Sequence, residues 1–91
     1  MLSKQQQALV QAIQQLDLAQ VQSLLAEGLD PNFIDPEHGF PVSILCDGLF
    51  VWWENVCEAY EAGQPLTEAD KQQQLQVYQD ILDALIQAKA N

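Results

Sequence analysis

The stretch from Leu24 to Val42 constrains the fold more than any other part of the chain. It begins Leu24-Leu25-Ala26-Glu27-Gly28-Leu29-Asp30-Pro31-Asn32 and resumes at Asp35-Pro36-Glu37-His38-Gly39-Phe40-Pro41-Val42. The first part reads as the end of an amphipathic helix. Gly28 can take the left-handed conformation that closes a helix, and Leu29 can fold back onto its last turn. Pro31 and Pro36 prevent regular helix beyond it, and Asp, Asn and Gly supply turn chemistry. Phe33 and Ile34 sit mid-segment, where one is expected to pack inward and the other to face out. Pro41 then opens a new helix at a position where its missing N–H costs nothing. The chain is thereby divided into helical segments on either side of one projecting loop or hairpin.

Upstream of the break, Ser3 and Gln6 are placed to form a capping box. Leu9, Ile13 and Leu16 follow at i, i+4, i+7 with Val10 beside them, and glutamines fill the opposite face. Asp17 is a second N-cap candidate, followed by the stripe Leu18, Val21, Leu24, Leu25. Two short helices joined by a tight turn make an antiparallel pair. Downstream, Val42, Leu45, Leu49, Trp52, Val56 and Tyr60 keep helical spacing, while Asp47-Gly48 either interrupts or kinks that helix. Glu61-Ala62-Gly63-Gln64-Pro65 reads as a loop. Thr67, with Asp70 placed to complete the box, caps a last helix whose stripe is Leu75, Tyr78, Ile81, Leu82, Leu85 and Ile86. The expected fold is all-α: about four helices in antiparallel pairs, within one domain of 91 residues.

The helix ending in Leu24-Leu25-Ala26-Glu27-Gly28-Leu29-Asp30-Pro31-Asn32, then the turn, then Gly39-Phe40-Pro41-Val42, resembles the ankyrin repeat. In that family L-L-x-x-G-A-D-x-N runs through a hairpin into D-x-x-G-x-T-P-L-H. The segment from Ile81 to Asn91 looks like a second copy of Val21 to Asp30. The resemblance implies one repeat over 3–40 and an expanded second repeat over 41–91, with an insertion spanning Phe50–Glu61 and the loop after it. Phe40 stands where the family prefers Thr and Ser43 where it prefers His, so the network tying neighbouring repeats is mostly absent. Two repeats are fewer than such stacks usually need. The Trp-rich insert and long last helix supply the missing cap, or dimerisation does. The family implies a binding scaffold, here an ankyrin-like interaction module of the bacterial type.

Charge narrows the partner. Thirteen acidic residues stand against three lysines and no arginine, for a net charge of −10. The lysines are Lys4, Lys71 and Lys89, so everything from Gln5 to Asp70 lacks a fixed positive charge. A field of this sign repels nucleic acid and anionic membranes and attracts basic protein surfaces. Its alternative purpose is solubility. The N-terminus carries no apolar run of signal-peptide type, and no stretch approaches a membrane span. Cys46 and Cys57 lie inside apolar segments without metal-type spacing, so buried thiols in a reducing cytoplasm are expected.

Catalytic chemistry has little to build on. His38 is the only histidine and lies in the turn, where a structural role is expected. The four glycines form no phosphate cradle. Asp30, Asn32 and Asp35 superficially suggest a calcium loop, but Ile34 occupies a position that needs a ligand. No catalytic residue, metal or cofactor is expected. Trp52-Trp53 is the most distinctive pair: neighbours on a helix point in different directions, so both cannot centre one stripe. Trp52 has the better core spacing, while Trp53 lies either at an exposed edge or within a wide core under the insert.

The expected function is a non-enzymatic protein–protein interaction module. Its binding surface combines Asp30, Phe33, Asp35 and Glu37 of the finger with Phe50, Trp53, Glu54 and Glu58 of the insert. The acids steer a basic partner and the aromatics supply affinity. One alternative is an acidic immunity or inhibitor protein that neutralises a basic toxin, nuclease or nucleic-acid-binding protein. Another is a self-associating structural protein, so a monomer or a homodimer is compatible with the sequence.

Overall fold

A computed structural model of the chain describes residues 2–88. It contains four helices: α1 (Lys4–Gln14), α2 (Leu18–Ala26), α3 (Pro41–Glu61) and α4 (Glu68–Gln87). The described residues contain no strand, so the expected all-α class holds.

Short-range chemistry sets most boundaries. The Ser3 hydroxyl accepts from the Gln6 N–H at 3.1 Å, while the Ser3 N–H donates to the Gln6 side chain at 2.9 Å. Asp17 caps α2 by accepting from the Gln20 N–H at 3.2 Å, and Thr67 caps α4 by accepting from the Asp70 N–H at 3.1 Å. Each cap satisfies a backbone donor that the first helical turn leaves free. Pro41 is the first residue of α3 and Gly28 ends α2 with φ +96°.

The end of α1 has no glycine. Leu16 takes φ +56°, donating from its N–H to Ile13 O at 3.1 Å, and Asp17 donates to Ala12 O at 2.8 Å. This is the Schellman arrangement, built on a leucine at a cost of about 1–2 kcal/mol in backbone strain. Leu16 packs partly buried against the core, which offsets part of that cost.

Between α2 and α3 the chain makes a tight turn rather than a stranded hairpin. Asp35 and Gly39 exchange both backbone hydrogen bonds, at 2.9 and 2.8 Å. Asp30 folds over its own loop by accepting from the Asn32 N–H at 2.9 Å. Phe33 enters the core and Ile34 faces solvent, which resolves the alternative between them. Leu29 also packs against the core.

α3 runs unbroken through Asp47-Gly48. Gly48 lies against α4: the Tyr78 hydroxyl donates to its carbonyl at 3.3 Å. The residues that the ankyrin-like reading sets apart as an insertion are thus the second half of α3 and the loop that follows it.

The helices pack as two hairpins, α1 with α2 and α3 with α4, and the hairpins stack with α1 on α3 and α2 on α4. Leu9, Ile13, Val21, Ile81 and Leu85 are fully buried at the centre, joined by Ile44, Leu45 and Phe33. Only the first half of α3 and the second half of α4 share this core. Their other halves project as an extended two-helix arm, and the molecule measures 44 × 24 × 20 Å. Along the arm Val56 is buried apart from the main cluster, and Trp52 packs against Tyr78 with centroids 6.4 Å apart and ring planes tilted by 51°.

The arm corrects several expectations. Cys46 and Cys57 are exposed, because α3 has apolar residues on two faces and only one meets the core. Tyr60, Leu75 and Ile86 are exposed despite their helical spacing. For Tyr60 and Leu75 the reason is that α1 and α2 end before the arm does. Residues 89–91, the end of the second repeat copy, lie outside the described residues.

Two glycine substitutions test this geometry in opposite directions. Gly48 is helical, and an added Cβ would sit 3.7 Å from Tyr78 Cε1, an ordinary contact. Gly48→Ala is therefore expected to stabilise by about 0.5–1 kcal/mol. Gly63 closes α3 at φ +80° with open space around it, so Gly63→Ala is expected to cost about 1–2 kcal/mol through backbone strain alone. Thermal unfolding should show opposite shifts, at roughly 4–8 °C per kcal/mol.

Candidate functional site: the open face of the α3–α4 arm

The outer face of α3 carries a second apolar row. Cys46, Phe50, Trp53, Cys57 and Tyr60 succeed one another at spacings of four, three, four and three, and all five are exposed. A helix keeps such a row on one side. Phe50 is 66% and Trp53 55% exposed, which settles the position of Trp53 on the outer edge. Trp52 turns inward beside it, and its indole N–H donates to the Gln74 side chain on α4.

The row borders a groove between α3 and α4. One cavity of about 400 Å³ is lined by Cys46, Leu49, Phe50, Trp52, Trp53 and Leu75. It shares Cys46, Leu49 and Leu75 with a second, of about 420 Å³, whose α4 wall is Gln72, Gln76, Gln79 and Leu82. The two form one trough with a leucine floor. On the side of α3 away from α4, Asp47, Glu54, Glu58 and Glu61 make a parallel acidic row, all exposed.

The structure divides the expected site residues. Phe50, Trp53, Glu54 and Glu58 come together on this face. Asp30 and Glu37 are exposed, but on the α2–α3 loop rather than on the arm. Phe33 and Asp35 are only 9% exposed and leave the candidate surface. Phe33 fills the core, and Asp35 holds its own turn together. The contributions of Leu49, Leu75 and Tyr60 were missed; the four-three spacing from Cys46 to Tyr60 was the signal that could have shown the second row.

Asp35 is the anchor of the loop. Its Oδ1 accepts from the Glu37 N–H at 3.1 Å, and its Oδ2 lies 2.7 Å from His38 Nδ1. The His38 hydrogen bond first, and the Glu37 N–H second, hold its carboxyl below the usual value of 3.8. Two cavities adjoin His38, and the hydroxyl that lines one of them, that of Tyr78, donates to the Gly48 carbonyl at 3.3 Å. Partial burial pushes the Tyr78 hydroxyl above its usual value of 10.0, in keeping with a neutral donor to Gly48. No group of three or more potential metal ligands occurs among the described residues. No described helix is long and apolar enough to cross a membrane.

In comparison with known proteins, no family model matches the chain, and no curated protein or solved structure matches it either.

The lowered Asp35 value fixes a pH dependence. An aspartate with a depressed folded value stabilises the fold above its unfolded value, and that contribution is lost as pH falls through the folded value. Stability should therefore drop as pH falls below 3.8. Urea unfolding across this range should show a smaller drop for Asp35→Asn than for the parent protein.

Proposed function

We propose that the chain is a non-enzymatic, ankyrin-like interaction module that binds a protein partner through the open face of α3. The observation that carries this reading is the pair Phe50 and Trp53, held in solvent at the lip of an apolar trough. Large aromatics next to a trough are the residues that dominate binding energy at protein interfaces. Stacking of α1 on α3 and α2 on α4 supports the ankyrin-like part of the reading.

The surface area points the same way. A compact monomer of this mass exposes about 5,300 Å², whereas this chain exposes 6149 Å². The difference accords with the elongated shape, 44 × 24 × 20 Å, in which the arm exposes its outer face. Glu54, Glu58 and Glu61 border the aromatic row, so the partner's complementary surface is basic.

The acidic inhibitor or immunity reading is the same surface with a more specific client, a basic toxin, nuclease or nucleic-acid-binding protein. The lysine-free stretch from Gln5 to Asp70 favours it. Self-association is disfavoured because two copies paired on this face would bring their acidic rows near one another. A cytoplasmic setting suits Cys46 and Cys57, since exposed thiols stay reduced there.

Trp53→Ala tests the reading. Partner capture from host lysate is expected to weaken by roughly 30-fold or more with the melting temperature unchanged. Undiminished capture would remove Trp53 from the binding surface, and a lowered melting temperature would return it to the core.

A further inference from the structure

We propose that the partner presents a basic amphipathic helix of about four turns, which lies in the trough alongside α3. The inference rests on the interaction reading above and specifies what fills the site.

The spacing of the outer row is the first argument. Cys46, Phe50, Trp53, Cys57 and Tyr60 repeat at four-three intervals, the spacing by which one helix receives side chains from another. From Cys46 to Tyr60 the row spans about 21 Å at 1.5 Å per residue, which sets the length of the occupant. The trough floor of Leu49 and Leu75 lies between two helices, where a third helix seats its apolar stripe.

Charge selects among occupants. Asp47, Glu54, Glu58 and Glu61 follow the row for most of its length, and α3 carries no Lys or Arg. The lysine on this part of α4, Lys71, is engaged by Glu68 at 2.6 Å. The opposite wall offers glutamines, of which Gln76 and Gln79 donate to Asp80 and Asp83 on their own helix at 2.9 and 3.0 Å. The trough itself is therefore lined by apolar and neutral side chains, and the acids flank it on the far side of the aromatic row. A helix with leucine-type residues at four-three spacing and Lys or Arg along one flank complements both. A second copy of this chain does not, because its own row brings the same acids. Anionic lipid headgroups and nucleic acid meet the same repulsion.

The probe is a synthetic peptide of leucine and lysine about 15 residues long, matching the four turns of the row, with leucines at four-three spacing and lysines elsewhere. A scrambled peptide of the same composition is its control. Titration into the full chain, followed by calorimetry and tryptophan emission, should show the ordered peptide binding at least about 10-fold more tightly than the scramble. Trp53→Ala should weaken it by roughly 30-fold or more. The combined variant Glu54→Gln, Glu58→Gln, Glu61→Gln should weaken it by roughly 3- to 100-fold at low salt and reduce its salt dependence.

Equal binding of the scramble would overturn the proposal, leaving only charge attraction. Failure of the ordered peptide, with lysate capture still dependent on Trp53, would overturn the helix and leave the interaction surface intact. Failure of both would remove the surface as well. A concentration-dependent dimer abolished by Trp53→Ala would replace the partner helix with a second copy.

Discussion

α3 and α4 are about twice as long as the helices they pack against. They have 21 and 20 residues, whereas α1 and α2 have 11 and 9. At 1.5 Å per residue, roughly half of each long helix extends beyond its support. The first hairpin covers one half of the second and leaves the other half with only its own partner helix. The buried centre, the thin packing of the arm and the exposed aromatic row all follow from this mismatch. Within the arm the stabilising contacts include Val56, the tilted Trp52–Tyr78 ring contact, and the hydrogen bonds from Tyr78 to Gly48 and from Trp52 to Gln74.

A short arm with a thin core would ordinarily place its large apolar residues inward. Trp52 does so, and Trp53 does not. Turning Trp53 inward would require rotating α3 by about one residue, which would take Leu45 and Ile44 out of the main core. Burial at the first half of α3 therefore fixes the orientation of the second half, and the outer row stays in solvent. In the proposed reading the acidic row beside it opposes pairing with another copy. Under the proposed function the aromatic row would supply affinity and the acidic row selectivity, both from a single helix.

Much of the fold was legible because its signals are local. Ser3, Asp17 and Thr67 mark helix starts through bonds that reach three residues, Pro41 marks one through its fixed φ and missing N–H, and Gly28 marks an end. The α1 end at Leu16 was not legible, since a leucine takes the left-handed conformation only where tertiary packing of α1 on α2 compensates it. The cysteines and Tyr60 were misjudged for a different reason. Apolar neighbours suggested burial, but α3 is apolar on two sides: the burial of Ile44 and Leu45 decides which side faces the core, and the length of α1 and α2 decides how far along the helix it is covered. Asp35 looked like a surface acid; its two acceptor contacts in the loop draw it inward. Phe50, Trp53, Glu54 and Glu58 were grouped correctly by periodicity, which operates within one helix. Leu75 belongs to α4, and its place beside them depends on the register between helices, which no local signal sets.

The most direct test of whether the aromatic row of α3 is open in the free protein is acrylamide quenching of a Trp52→Phe variant, excited selectively at Trp53, its sole tryptophan. The account predicts red-shifted emission and efficient quenching, unchanged as protein concentration rises. Blue-shifted, weakly quenched emission at all concentrations would place Trp53 in a core. Shielding that grows with concentration would show that a second copy covers the row, and either result would contradict the account.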